Sequence, residues 1–522
     1  MGQAHASSAP PPGRLPPKSP FFERLRRPSL KRKASQLANE TVHAQLGRRI
    51  SDFVAGVFAA NALTGIGVLT VPYAFQQAGW LLGTVTLTVC MLSAYITGTY
   101  VIETEAIANA LHYGDGVESL AVQFLPNIQQ ECREQHADPD HALALFTGSA
   151  IKRNSDSSFK IRDRFEVGEM AELLLDSRLA SKGVYIAIVL FIYGSLAAFV
   201  VTVNTSLSHT MAEVWLGQGG NHAAEDIDFF YRWALLVTFF LAFYLCLGDL
   251  QKTKVFTLVV LIVRFVAMLA ILLAACSKFL RDAEYSAAEI EDSVASLPRW
   301  NSEHFGLVFG NTVYVFTLHH ALPSMIAPLE TQGDSPCVLL SAFFMVVLIM
   351  VVLSLTAMLA FGADLAPFYN INFSSLSWLH GLVGLFIVAY PTLAISTVPT
   401  SAITLRNTLG KLFKVAPPDP EEPLTRSTVM LTASVLLPPF IIAFITRDIR
   451  ALVSCVGGYF GLTVSYAVPL LLIITGRKKL SGLTNPRTFT WRLKSSFGHP
   501  VVYVMVLIFY FAALGRQILL AV

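Results

Sequence analysis

The chain has 522 residues, 54% of them hydrophobic and 14% charged, with a formal net charge of +3 and a mean hydropathy of +0.56. Soluble domains carry about a quarter of their residues as charges, so a water-soluble globular protein is excluded. No nucleic-acid partner is expected, and the lipid bilayer is the first partner the composition implies.

Residues 1–50 read as a disordered tail, rich in Pro, Ser and Ala and then basic at Arg24, Arg26, Arg27, Lys31, Arg32 and Lys33. Such a tail suits contact with anionic lipid headgroups, and its Arg-Arg-Pro-Ser29 and Lys-Arg-Lys-Ala-Ser35 runs also suit basophilic kinases. No apolar core for a cleavable signal peptide precedes the first span. The remainder, 51–522, reads as one membrane domain. A hydrocarbon core takes about 20 apolar residues per helix. Eleven candidate spans follow, at 53–77, 80–104, 184–208, 229–248, 254–279, 304–327, 337–362, 377–401, 426–446, 452–475 and 500–520. The expected fold class is an all-α integral membrane protein of about eleven transmembrane helices.

Orientation follows from the basic residues. With the N-terminus in the cytosol, about 30 of the 38 Lys and Arg fall in the tail and the 105–183, 249–254, 328–336, 402–425 and 476–499 loops. The opposite loops lean acidic, at Glu225, Asp226 and Asp228 and again at Glu284, Glu289, Glu291 and Asp292. An odd number of spans then places Val522 on the extracytosolic side. Cys90, Cys246, Cys276, Cys337 and Cys455 lie in or beside spans and Cys132 in a cytosolic loop, with neither disulfide placement nor metal-ligand spacing. Asn372-Phe373-Ser374 is a glycosylation sequon set too close to a span for ready use.

The 105–183 loop is long for a bundle. Its middle, about 127–163, is polar and reads as disordered. Near 165–176, Phe165, Val167, Met170, Leu173, Leu174 and Leu175 recur at helical spacing beside Glu166, Glu169 and Glu172, an amphipathic helix at the cytosolic face.

Two spans are interrupted. The first reads Asn61-Ala62-Leu63-Thr64-Gly65-Ile66-Gly67 and reaches Pro72; the sixth runs from Gly306 and Gly310 through His319-His320-Ala321-Leu322-Pro323. Gly and Pro are poor helix formers. Breaks that each open a set of five helices suggest two five-helix repeats, inverted because five is odd, plus one extra C-terminal helix. Broken backbone at membrane depth is tolerated where it lines a cavity, where free N–H groups bind a carboxylate and free C=O groups a cation. Ordinary kinks or small-residue packing sites are the plainer alternative. The candidate substrate residues are Thr64, Gly65, Ile66, Gly67, Asn311 and Tyr314.

The stretch Asn61–Leu69, followed by Pro72-Tyr73-Ala74-Phe75 and Ala78-Gly79-Trp80, resembles the opening of the amino acid/auxin permease superfamily. The resemblance runs from about residue 51 to at least 475 and implies eleven helices, a cytosolic N-terminus and the five-plus-five inverted repeat. Arg162–Ala171, Asp249–Lys254 and His320–Pro328 are similar to the transmembrane protein 104 branch of that superfamily. In sodium-coupled relatives a helix-1 Asn and a helix-8 Thr help form the cation site. Asn61 and Thr397, with Ser396 beside it, match them, and neutral amide, hydroxyl and carbonyl oxygens suit a hard cation.

Arg264 competes with that cation site. It lies about ten residues into an apolar span, where an unpaired Arg costs about 2.5–3.5 kcal/mol. It must face the bundle interior, either replacing a bound sodium ion electrostatically or bonding carbonyls freed by a broken helix. His319 and His320, beside the second break, are candidates for carrying a coupling proton or for buried neutral roles. There is no Walker A run, H-E-x-x-H or ordered Cys/His cluster, so neither ATP-driven pumping nor zinc hydrolysis is supported, and no catalytic residue, metal site or enzyme activity is expected. Beyond a sodium ion or proton as coupling ion, no cofactor is implied. The sequence points to a secondary active transporter of amino acids or similar small zwitterions, working by alternating access. The alternative is a non-transporting membrane receptor or scaffold that keeps the same fold.

Overall fold

A chain that must satisfy its backbone N–H and C=O groups inside lipid can do so only as helices or a closed barrel, and this one builds helices. A computed structural model describes residues 51–134, 161–217, 223–247, 254–282, 297–374, 376, 379, 381–413, 426–483 and 493–521, and among these there is no strand. The basic tail at 1–50, Cys132's side chain and loop residues 135–160 fall outside the described residues.

The first span is two helices, α1 (Asp52–Thr64) and α2 (Gly67–Ala78), bent by 54°. Gly65 makes the break, with φ +27°, a conformation that carries little penalty without a Cβ. Helix α3 (Trp80–Glu134) runs far past the end expected at 104. At 1.5 Å per residue its 55 residues span about 80 Å, more than twice the hydrocarbon thickness, so its end projects beyond the bilayer. Helix α4 (Val167–Leu174) lies within the amphipathic stretch, with Val167, Met170, Ala171 and Leu174 buried against the bundle. It opens with a capping box in which the Glu169 carboxylate accepts from the Glu166 N–H at 2.8 Å.

Helices α5 (Arg178–Trp215), α6 (Ala224–Leu247) and α7 (Lys254–Asp282) follow. The expected sixth span is two pieces, α8 (Phe305–Phe316) and α9 (Leu322–Ile326), separated by a non-helical stretch and turn at 317–321. Helix α10 (Ser335–Phe361) is continuous. The eighth span is α11 (Leu382–Ala389), a 3₁₀ stretch Tyr390–Ser396 opened by Pro391, and α12 (Thr397–Phe413). Helices α13 (Arg426–Ile445) and α14 (Ile449–Cys455) follow; two π-helical turns, Val456–Gly461 and Thr463–Ala467, then lead into α15 (Val468–Leu483) and α16 (Pro500–Ala521).

Eight helical runs, with α11 to α12 and α14 to α15 each counted as one run, are long and apolar enough to cross a membrane, or nine with the bent α1–α2 pair taken as one span, among the described residues. The protein is thus an all-α multi-pass membrane protein. Of the other two expected spans, the sixth is cut at 317–321 and the ninth coincides with α13. The sequon asparagine Asn372 is buried within the fold, accepting from the Ala366 N–H at 3.0 Å. Helix α5 packs on α6, α12, α13 and the 3₁₀ stretch, and α10 packs on α1, α2 and α3. The last helix, α16, turns Val501, Val504, Met505, Ile508 and Phe511 outward, the apolar face that lipid requires.

One polar interaction holds the middle of α3. Glu103, fully buried, accepts from Arg477 Nε at 2.8 Å, from Arg477 Nη2 at 2.6 Å and from the Ser495 N–H at 2.9 Å. The guanidinium also donates to the Gly498 carbonyl at 3.0 Å and the Tyr503 hydroxyl at 2.7 Å. This bidentate pair ties α3, α15 and the segment leading to α16 together. Removing one partner of a buried pair strands the other charge, at a cost of about 3–5 kcal/mol. Glu103→Ala should therefore lower the melting temperature of the purified protein sharply, while Glu103→Leu combined with Arg477→Met recovers much of the loss.

Candidate functional site

Where α1 stops at the first break, one backbone acceptor gathers several donors. The Asn61 carbonyl takes the Gly65 N–H at 3.4 Å and the Thr64 hydroxyl at 3.2 Å. It also takes a guanidinium from a different span. Arg264 Nη1, on α7, lies 3.2 Å from Asn61 O and 3.1 Å from Asn61 Oδ1. Arg264 is 8% exposed. Asn61, on this helix, and Arg264 thus meet at the broken backbone, and the two oxygens suited to a hard cation are already occupied by a fixed one.

A cavity of about 20 Å³ opens beside this contact, lined by Gly65 and Ile66 of the break, Thr202 of α5, Arg264, Tyr390 and Ala394. That is room for about one water, whereas small-molecule pockets run to about 300 Å³ or more. The site is closed around the guanidinium. At its start α2 presents Gly67 and Val68, whose N–H groups have no acceptor one turn back in their own helix. A negative group placed there gains from the helix dipole as well as from Arg264.

The second break adjoins the first. A Cβ on Gly67 would collide with Val315 Cγ2, so α2 begins against the end of α8, and only glycine permits that approach. Within the second break, His319 Nε2 lies 2.9 Å from the Thr97 hydroxyl and 3.1 Å from the Ala94 carbonyl, fastening the turn to α3. His320 stacks edge-on against Phe191, with centroids 5.2 Å apart. The Thr317 hydroxyl accepts from Ser465 at 3.0 Å, which joins the break to the second π-helical turn.

The sequence-derived residues divide between two neighbourhoods. Asn61, Thr64, Gly65, Ile66, Gly67 and Arg264 gather at the first break. Asn311 is buried, donating to the Leu307 carbonyl at 2.8 Å, and its Oδ1 has no partner among the described residues. Tyr314 packs beside Phe191, with centroids 6.2 Å apart. Neither lines the cavity, and nor do His319 and His320. The Thr397 hydroxyl donates to the Ala394 carbonyl at 2.6 Å, while the Ser396 backbone closes the 3₁₀ stretch.

Thr202 and Tyr390 line the cavity but were not singled out from sequence. For Tyr390 a signal existed, since Tyr390-Pro391 interrupts the eighth span as glycine interrupts the first. The two π-helical turns were also missed; such turns often mark functional regions.

Contacts close the bundle at two ends. Tyr73, on α2, accepts from Arg450 Nη1 at 3.2 Å, and Arg450 is held by Asp448, the N-cap of α14, at 3.0 Å. At the other end, Lys411 of α12 binds Glu166 at 3.1 Å and Glu169 at 2.8 Å, and Lys479 of α15 binds Asp176 at 2.9 Å. No group of three or more His, Cys, Asp or Glu residues fit to hold a metal occurs among the described residues.

A hydrogen bond to a charged group contributes about 1.5–3 kcal/mol. Asn61→Ala should lower stability by about that amount, read from thermal unfolding in detergent, and Asn61→Asp, which supplies Arg264 with an anion, should not.

Comparison with known proteins gives a consistent family. A family model described as "Transmembrane amino acid transporter protein" matches residues 48–137 and 141–515. The chain is 28% identical to "Transmembrane protein 104" of Gallus gallus over 494 residues, covering 89% of this chain and 95% of that protein. It is 28% identical to the Homo sapiens protein of the same name over 460 residues, 83% of this chain and 89% of that one. "Transmembrane protein 104 homolog" of Dictyostelium discoideum is 26% identical over 502 residues, 88% and 95% of the two chains.

Proposed function

Because the chain belongs to the transmembrane amino acid transporter protein family, we propose that it is a secondary active transporter of amino acids or similar small zwitterions, with Arg264 in place of a sodium ion. The observation that carries the proposal is the contact of Arg264 Nη1 with Asn61 O and Oδ1. A sodium ion about 4 Å from that guanidinium would be repelled by about 4 kcal/mol at an effective dielectric of about 20. A permanent guanidinium supplies the charge without dissociating. The proton is then the coupling ion.

In this reading the N-terminus is cytosolic, the C-terminus extracytosolic, and the bundle comprises two inverted five-helix repeats with α16 as the extra helix. The substrate carboxylate binds at the start of α2, at Gly65–Gly67, and Arg264 balances its charge. The small cavity corresponds to a closed state, so binding requires movement of α2 or the 3₁₀ stretch. The Tyr73–Arg450 contact on one side and the Lys411 and Lys479 contacts on the other would break in alternation.

Uptake of a broad amino acid panel into proteoliposomes, under separate sodium and proton gradients, tests the proposal. The expected result is uptake that follows an inward proton gradient and is unchanged when choline replaces sodium. Arg264→Ala should abolish uptake or make it sodium-dependent. Binding without flux across the panel would overturn the transporter reading in favour of a receptor or scaffold.

A further inference from the structure

Five charged side chains are buried among the described residues: Glu103, Glu105, Glu213, Arg264 and Arg406. Glu103 is paired with Arg477 and Arg264 with Asn61. Arg406 Nη1 donates to the Cys246 carbonyl and the Thr432 hydroxyl, both at 3.3 Å, and Glu213 also has an interaction partner. Glu105 differs. It is 0% exposed, and neither carboxyl oxygen has a hydrogen-bond partner among the described residues.

Glu105 lies on the part of α3 covered by residues 161–176. One turn further along, Asn109 fastens that segment. Its Oδ1 accepts from the N–H groups of Arg162 at 2.9 Å and Asp163 at 3.0 Å. Its Nδ2 donates to the Asp163 carbonyl at 2.9 Å and to the Glu105 carbonyl at 3.0 Å. The segment is also held by Gln332, which accepts from the Ile161 N–H at 3.1 Å and donates to the Ile161 carbonyl at 2.8 Å.

We propose that Glu105 is a proton-binding site whose occupancy is tied to the docking of residues 161–176 onto the bundle. The segment covers the carboxyl without pairing with it. Arg164, whose Nη2 lies 3.7 Å from a Glu166 oxygen, and the Phe165 backbone favour the carboxylate, but neither Glu105 oxygen meets hydrogen-bond geometry with them. The other charges nearby are turned elsewhere. Glu103 is held by Arg477, Glu166 and Glu169 by Lys411, and Asp176 by Lys479. His112 packs against the Phe165 ring, with centroids 5.4 Å apart.

A carboxylate buried without a partner is expensive, so with the segment docked the carboxyl keeps its proton. When the segment lifts, water reaches the acid, which dissociates to a carboxylate and releases one proton to that side. Docking is therefore favoured at low pH, and the preference is lost as pH rises through the titration of the docked acid, by up to about tenfold per pH unit for one linked proton. In the transporter proposed above, this gives the coupling proton a site at the cytosolic end. That use rests on the transporter reading, whereas the site itself does not.

The test is hydrogen exchange of residues 161–176, followed by mass spectrometry on the full chain in lipid nanodiscs from about pH 5 to about pH 8 and corrected for intrinsic exchange. Protection in the wild type should fall as pH rises. Glu105→Gln, which mimics the protonated acid, should stay protected throughout. Arg164→Gln removes a cation that favours the carboxylate in the docked state, so protection at the high-pH end should fall further than in the wild type. Wild-type protection that does not vary with pH would overturn the proposal, as would a pH dependence unchanged in Glu105→Gln or high-pH protection in Arg164→Gln as strong as in the wild type. Flux plays no part in the readout, so a failure of transport leaves this result separately legible.

Discussion

A guanidinium placed deep in a membrane bundle must find acceptors, and in a regular helix every carbonyl is already engaged. Arg264 and the break at Gly65 answer one another. Where α1 ends, the Asn61 carbonyl keeps a long bond of 3.4 Å from the Gly65 N–H, and Arg264 on α7 donates to it as well. Each feature is unfavourable alone, since the broken helix loses hydrogen bonds and the buried charge loses water. Together they leave a cationic, nearly closed cavity where α1, α2, α5, α7 and the 3₁₀ stretch of the eighth span converge.

The surrounding structure fixes this meeting point. Gly67 lets α2 start against Val315 of α8, which brings the two broken spans together. His319 pins the second break to Thr97 and Ala94 of α3, and Ser465 joins it to the second π-helical turn. The charges farther out are paired across different elements, as in Glu103 with Arg477 and Lys411 with Glu166 and Glu169. Such pairs hold a particular arrangement of helices.

What could be read in advance follows from which signals are local. The apolar spans and the Gly65-Ile66-Gly67 interruption are properties of short stretches, and the helices and the break lie where those stretches are. Arg264 was conspicuous because its neighbours are apolar, and Asn61 because it precedes the break. Partnership is a different matter. Glu103 and Arg477 sit at the edges of their spans, where a charge looks like ordinary loop composition. Asn109 and Glu105 follow the expected end of a span whose helix in fact continues to Glu134. Asn311 and Tyr314 lie on a broken span but away from the cavity, because sequence shows that a helix is interrupted and not which face it turns inward.

The claim that Arg264 takes the place of a sodium ion is tested most directly by sodium-dependent stability. Wild-type protein in detergent would be unfolded thermally with sodium exchanged for choline at constant ionic strength. A ligand that binds only the native state stabilises it by about 2.7 kcal/mol at a hundredfold excess over its Kd. With the guanidinium in the site, the melting temperature should be the same in both salts. A sodium-specific rise in the wild type would contradict the assignment of Arg264 as the resident cation.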